Sequence, residues 1–490
     1  MYLLVLVVCK AVGGIGFAIT LPLVFWALSR NKSEWLYFWL LMMAVMITSN
    51  GKIIPFDGAF ALVQRTTLMI LAVALTIRTM SRGLHPYLKP ITGFMVYIFY
   101  MAVVSAAGWC PIISYLKIVL LTFVWMGYLG ICNRVMMDER DRIGMVRAAM
   151  ILFACWVFFG SVALYPFPGI SQMNKADLDA AALAAHSEVL SLFQGMCRHS
   201  QLLGPVCASI GTLVFGDYLY SIRRNNWFYN ALLLCCVFCI YKTSSRTAMA
   251  SFLIGVMCVL YFFMKSRGFN ARWKSRVLTV VFIGGLAATL GASFVPSVRE
   301  RTLSFVLKYG GNDLAKISQM TAEDILSSRQ AKIEGCIANF KASPMIGNGF
   351  QVSEDMKSMS FGGGTATSGM SSLLSAPVEK STWIYAIPEE GGAIGMAIFV
   401  IWILYVYFAL SRRHAFIGLS CFMTQLAVNM GEFGMFSLSY VGAVTWACVF
   451  AGCVMDSQRY KLEQILEFEN VQANMALRRE QAMVQGDSLA

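Results

Sequence analysis

The residues best placed for chemistry are basic ones inside, or at the ends of, long apolar runs. Arg65 and Lys117 each stand about six residues into such a run, roughly 9 Å below its boundary at 1.5 Å per residue. Arg198 and His199 stand near the start of another run. Lys242 and Arg246 flank the short turn Lys242-Thr243-Ser244-Ser245-Arg246, and Lys52 lies on a further turn. Charges at such positions are costly and tend to be functional. No carboxylate stands near them in sequence at a similar depth. One reading is a shared anionic ligand, and arginine suits it because its planar fork meets phosphate oxygens two at a time. The competing reading is that each cation reaches along its own stem to the lipid headgroups. A histidine such as His199 serves a site or a helix-packing hydrogen bond with equal ease.

The elements that must position these residues are membrane helices. Hydrophobic residues make up 58% of the 490 and charged ones only 13%, against about 25% charged in a soluble domain. Runs of the roughly 20 apolar residues that a spanning helix needs recur along the chain. Expected spans are 3–28, 34–49, 59–79, 91–108, 111–132, 145–166, 195–221, 227–242, 247–264, 277–297, 388–410, 415–432 and 438–455. The first run holds Gly13, Gly14, Gly16 and Pro22 and reads as one tilted helix or two short ones. The fold class is therefore an all-α polytopic membrane helix bundle of about 12–14 transmembrane helices. Residues 1–297 and 383–455 carry the spans, 298–382 form a large extracytoplasmic loop with helical character, and 456–490 form a cytoplasmic helical tail.

Loop charge sets the orientation. Alternate loops hold nearly all the short-loop Arg and Lys, from Arg30 and Lys32 through Arg140 and Arg142 to Arg412 and Arg413. That set is expected in the cytoplasm together with the tail. The net charge of +13 follows from these loops, so a nucleic-acid partner is rejected. The 14 cysteines fall mostly inside apolar runs. The Cys236–Cys239 spacing lacks a second pair, so no metal site is expected. No cleavable leader is expected either, because the run Leu3 to Leu28 lacks a basic start and is too long.

Two segments on the outer side exceed turn length, Pro166 to about Gln194 and Val298 to about Thr382. In the second, Ile333, Cys336, Ile337 and Phe340 share one face of a helix that Ser327 or Ser328 can cap and Pro344 stops. Gly347 and Gly349 then make a turn, more a shaping turn than a phosphate cradle, and Gly362-Gly363-Gly364 a flexible stretch. Glu390, ahead of Gly391-Gly392 at a span start, suits a helix N-terminus. Glu379 and Lys380 can pair with each other at the end of the loop.

Three stretches, in this order, resemble the bacterial O-antigen ligase and O-antigen polymerase superfamily. They are Ser244-Ser245-Arg246-Thr247-Ala248; Ser328-Arg329 with its helix and then Pro344-Met345-Ile346-Gly347-Asn348-Gly349-Phe350; and Glu379 to Trp383 through Glu390-Gly391-Gly392-Ala393-Ile394-Gly395. A weaker echo is Gly195 to Gly204. The resemblance covers about residues 190–430. It implies a metal-independent glycosyltransferase of the outer face of the inner membrane, without cofactor, whose donor is a glycan on undecaprenyl diphosphate. It implies that Arg246 and Arg329 hold the diphosphate; Arg65, Arg198, His199 and Lys117, from their places in the apolar runs, are expected to join them. Membrane lipids and a chain-length regulator are the expected partners.

Such a transfer needs cations on the leaving diphosphate and a base for the acceptor hydroxyl. Glu379 is the candidate base, with His199 second. Ligases of this superfamily carry a His-Asn pair about nine residues before the Glu390 position, where this chain has Ser381-Thr382. That departure favours a polymerase over a ligase acting on lipid A-core. A transporter or flippase of lipid-linked glycans is the alternative from another class. It would more often show internal repeats, which this sequence lacks.

Overall fold

The computed structural model describes residues 50, 52–53, 83–137, 143–172, 193–197, 200–220, 226–243, 245–266, 333–352, 380, 382–431, 434–436 and 442–458. The expected spans 3–28, 34–49, 59–79 and 277–297, and the tail from 459, lie outside the described residues. Every other expected span is occupied by a helix. A 3₁₀ turn, Ile91–Gly93, leads into α1, Phe94–Ala106. Then come α2, Pro111–Met137, α3, Ile143–Leu164, and the short α4, Pro168–Ser171. The helices α5, Ser200–Tyr220, α6, Asn226–Lys242, and α7, Arg246–Ser266, follow. The helix α8 covers 333–342. The last three are α9, Trp383–Arg412, α10, Phe416–Val428, and α11, 442–458. Among the described residues the β features are isolated bridge positions, such as the bridge between Gln172 and Phe193.

Five of these helices are long and apolar enough to cross a membrane: α2 and α9 in full, and most of α3, α5 and α7. α6, α10 and the pair formed by the 3₁₀ turn and α1 are shorter apolar helices. The protein is a multi-pass membrane protein of all-α architecture. Lipid offers backbone groups no hydrogen bonds, so helices are the form these apolar runs can take. Exposed apolar side chains such as Phe99, Leu234, Ile401 and Phe408 are what a lipid-facing surface requires.

Small residues let the central helices approach. α5, α7 and α10 pack on one another. Thr212 of α5 and Thr424 of α10 share a hydrogen bond of 3.1 Å, and Gly255 of α7 lies against both. α3 and α6 pack against α5, while α1 pairs with α2 and α9. Aromatic rings fill the space between: Phe94 stacks on Phe436 at 5.8 Å and meets Trp125, Trp402 and Trp446. α11 is buried along almost its whole length, which makes it an interior helix.

The contacts of the helix ends define two ends of the bundle. At one, Gly204 near the start of α5 lies against Ser245 and Ala248 at the start of α7. Gly431, just after α10, lies against Thr247. Asn429 accepts at its carbonyl from the Trp383 amide at the start of α9, 3.2 Å. The other end holds the start of α3, the end of α5 and the start of α6, where Arg147, Asp217 and Tyr229 meet.

Candidate functional site

The expected span 388–410 begins earlier and is broken. α9 starts at Trp383, where the Thr382 hydroxyl accepts from the Ile384 amide at 3.3 Å. At Gly392 the backbone leaves the helix, with φ 65° and ψ −168°. A regular helix would run bonds from the Ala393 amide to the Glu389 carbonyl and from Ile394 to Glu390. Both bonds are replaced. Ala393 donates to the Pro344 carbonyl at 2.8 Å and Ile394 to Met345 at 3.3 Å. The Glu389 and Glu390 carbonyls accept from the Asn348 and Gly349 amides, each at 3.0 Å. The Gly391 carbonyl accepts from the Tyr100 hydroxyl at 2.8 Å. The turn 344–349 thus takes the place of the missing helical partners at the break, as buried backbone in a membrane protein demands.

Two glycines make the insertion possible. Gly347 has φ +77°, and a side chain there would strike the Glu390 carbonyl group. A side chain on Gly392 would strike the Met345 carbonyl. Two of the stretches singled out from the sequence are therefore one interlocked unit. The amides of Gly347, Asn348 and Gly349 are used by the Ser343, Glu389 and Glu390 carbonyls. They are not turned toward a phosphate, so the turn shapes the fold, as its sequence indicates.

Just beside the break lies a buried charge cluster. Lys380 Nζ stands 3.1 Å from Glu389 Oε2 and 2.9 Å from Glu390 Oε1, with all three side chains at most 4% exposed. Burial alone would lower the Lys380 pKa, but Glu390 and Glu389 outweigh it and hold the ammonium above its ordinary value. The Lys117 ammonium donates to the Gln351 carbonyl at 3.0 Å, with Glu390 within electrostatic reach. Two cations thus face two carboxylates in a site closed to water. Cys336 of α8 is buried against Glu389. Burial first, then that carboxylate, pushes its thiol up to about 12, so it is not a nucleophile.

Of the expected catalytic and diphosphate-binding residues, Lys117 and Arg246 are described. Arg65, Arg198, His199, Arg329 and Glu379 lie outside the described residues. Lys117 is buried, and its carboxylate neighbour is distant in sequence, which is why none was apparent there. Arg246 is partly exposed at the start of α7. Ser245 caps that helix, accepting from the Ala248 amide at 3.3 Å, while Thr247 and Ala248 pack on Gly431 and Gly204. Lys52 and Lys242 have local partners. Lys52 donates to the Gly169 and Gln172 carbonyls at 3.0 and 2.7 Å, and Lys242 to the Tyr165 hydroxyl at 2.8 Å.

Glu390 is corrected: it lies at the break rather than at the N-terminus of its helix, and Lys380 is its partner. Glu389 was missed altogether. The available signal was a pair of carboxylates inside an apolar run, which a membrane segment tolerates only with partners.

The family model described as O-antigen ligase matches residues 231–372. Over this segment the chain resembles the O-antigen ligase family. No curated protein matches the chain. The matched segment takes in most of α6, all of α7 and α8 and the turn 344–349, and with them Arg246 and Arg329. It ends ahead of Lys380, Glu389 and Glu390, which meet it through the interlock.

Proposed function

We propose that this protein is a polymerase of the glycosyltransferase type, acting at the outer face of the bacterial inner membrane. It moves a glycan from undecaprenyl diphosphate onto a lipid-linked glycan acceptor. The observation that carries this reading is the O-antigen ligase segment, with Arg246 at a partly exposed helix start inside it. In the reaction, an acceptor hydroxyl oxygen attacks the anomeric carbon opposite the diphosphate. The bond from that carbon to the diphosphate oxygen breaks, and the electron pair leaves with the diphosphate. Arg246 and Arg329 stabilise the leaving charge, aided by Arg65 and Arg198. The hydroxyl proton passes to Glu379. Attack from the opposite face inverts the anomeric centre, and no metal takes part.

A ligase acting on lipid A-core is the second reading, favoured by the description of the matched family. Against it stands the Ser381-Thr382 pair at the place of the ligase His-Asn, where Thr382 serves as the helix cap. The test uses the full-length protein in detergent with an undecaprenyl-diphosphate-linked repeat unit. Longer glycan and free undecaprenyl diphosphate are expected, with EDTA without effect. Arg246→Gln should lower the rate about 100-fold, as loss of one charge-stabilising group does, at an unchanged melting temperature. Transfer that appears only after lipid A-core is added makes the protein a ligase. No transfer to either acceptor, or a fully active Arg246→Gln variant, sinks the reading.

A further inference from the structure

α8 is held to the bundle by polar contacts more than by area. Most of its residues are exposed, and Cys336 is its one residue that is buried. Asn339 donates from Nδ2 to Glu389 Oε1 at 2.9 Å, and its carbonyl accepts from Asn348 Nδ2 at 3.0 Å. Asn348 Nδ2 also reaches the Glu389 carbonyl at 3.2 Å. The second Glu389 oxygen pairs with Lys380. One carboxylate therefore ties together α8, which follows Arg329 in sequence, and Lys380, which follows Glu379. Apolar contacts would leave α8 free to slide, whereas a buried carboxylate that accepts a directed hydrogen bond on one oxygen and pairs with a cation on the other holds it in place.

We propose that Glu389 and Asn339 are positioning residues: their hydrogen bond sets α8 on the helix break beside Lys380 and Glu390, and turnover depends on that placement. This rests on the transferase reading above. Neither residue touches substrate. A displacement of about 1 Å at such a place costs on the order of 100-fold in rate. A loss in turnover rather than in donor affinity is the mark of misaligned reacting groups.

The experiment swaps the polarity of the bond in the full-length protein. Asn339→Asp sets two carboxylates against each other. Glu389→Gln keeps an acceptor for Asn339 and serves as the control. The double variant Asn339→Asp/Glu389→Gln restores the bond with donor and acceptor exchanged. With undecaprenyl-diphosphate-linked repeat unit as donor, kcat per folded molecule should fall about 10-fold or more in Asn339→Asp with KM unchanged. It should return to within a few-fold of Glu389→Gln in the double variant. An unchanged kcat in Asn339→Asp, or a double variant no better than it, overturns the proposal. Amide hydrogen exchange over 333–352 reads the same clamp without any turnover. If the wild type transfers nothing, the transferase reading has failed, and exchange decides the clamp alone. Faster exchange in Asn339→Asp, reversed in the double variant, supports it, and no change refutes it.

Discussion

Each end of the bundle holds an ion pair, and the two are built differently. At one end Arg147 Nε reaches Asp217 at 2.9 Å, with the Tyr229 hydroxyl bridging to both. The Arg147 side chain is 32% exposed. The pair links the start of α3, the end of α5 and the start of α6, elements that also pack through apolar side chains. At the other end Lys380, Glu389 and Glu390 are closed to water and lie where a helix is broken. An accessible pair exchanges water for a partner at little net gain. A closed one exists only while every charge keeps its counter-charge. The first adds to a contact that packing already makes, while the second makes the join between α9 and the turn 344–349 conditional on charge balance.

The largest effect should therefore come from Lys380→Met, which leaves two adjacent carboxylates without their shared cation. Removing one member of a buried pair costs about 3–5 kcal/mol. The yield of monodisperse protein in detergent should fall sharply, with the melting temperature of any recovered protein well below wild type. The triple variant Lys380→Met/Glu389→Gln/Glu390→Gln should recover most of that loss, since neutral groups of similar shape often replace a buried ion cluster at little cost. A triple variant as poor as the single one would mean that volume, not charge, is what the site requires.

Gly392→Ala comes next and tests the interlock rather than the charges. The added methyl meets the Met345 carbonyl, and the backbone there is in the left-handed region. A cost of about 2 kcal/mol or more is expected, read as a lower melting temperature together with faster amide exchange across 343–352. Stability loss without faster exchange in that stretch would separate the kink from the turn and break the interlock.

Much of the architecture was legible in the sequence, because a spanning helix is a local property of about 20 apolar residues. Helices α2, α3, α6, α7 and α10 lie close to their expected limits. The kink in α9 was harder to see, since Glu390-Gly391-Gly392 reads as well as a helix start as it does as a break. What decides between them is the turn 344–349, whose amides and carbonyls complete the break from more than 40 positions away. The same distance hid the partners of Lys117, which are Gln351 and Glu390. Arg246 was visible because a charge opens an apolar run there, between the small capping and packing residues Ser245, Thr247 and Ala248. Glu389 was not, because a side chain that joins three stretches has no signature in any one of them.

Arg147→Met is the matching break at the opposite end, and its effect should be smaller. A half-exposed charge-assisted hydrogen bond is worth about 1–2 kcal/mol, and Asp217 keeps the Tyr229 hydroxyl as a donor. Melting should shift by a few degrees, with turnover per folded molecule and exchange over 333–352 unaltered. A loss of turnover matching that of Asn339→Asp would mean that the two ends are coupled and that the contrast between them fails.

The smallest effect concerns pH. The Lys380 pKa is held above the ordinary lysine value by Glu390 and Glu389 against the opposing influence of burial. A cation whose folded pKa lies above its unfolded one stabilises fully below the unfolded value. It loses that contribution only as pH rises through the folded value. The Lys380 contribution should therefore be constant from pH 7 to about 10, since the unfolded lysine value is about 10.4. The difference in melting temperature between the wild type and the neutral triple variant should stay level across that range and narrow only above it. Narrowing already near pH 8 would show that burial outweighs Glu390 and Glu389 at the Lys380 ammonium, and the charge balance that sets the closed end apart would then be lost.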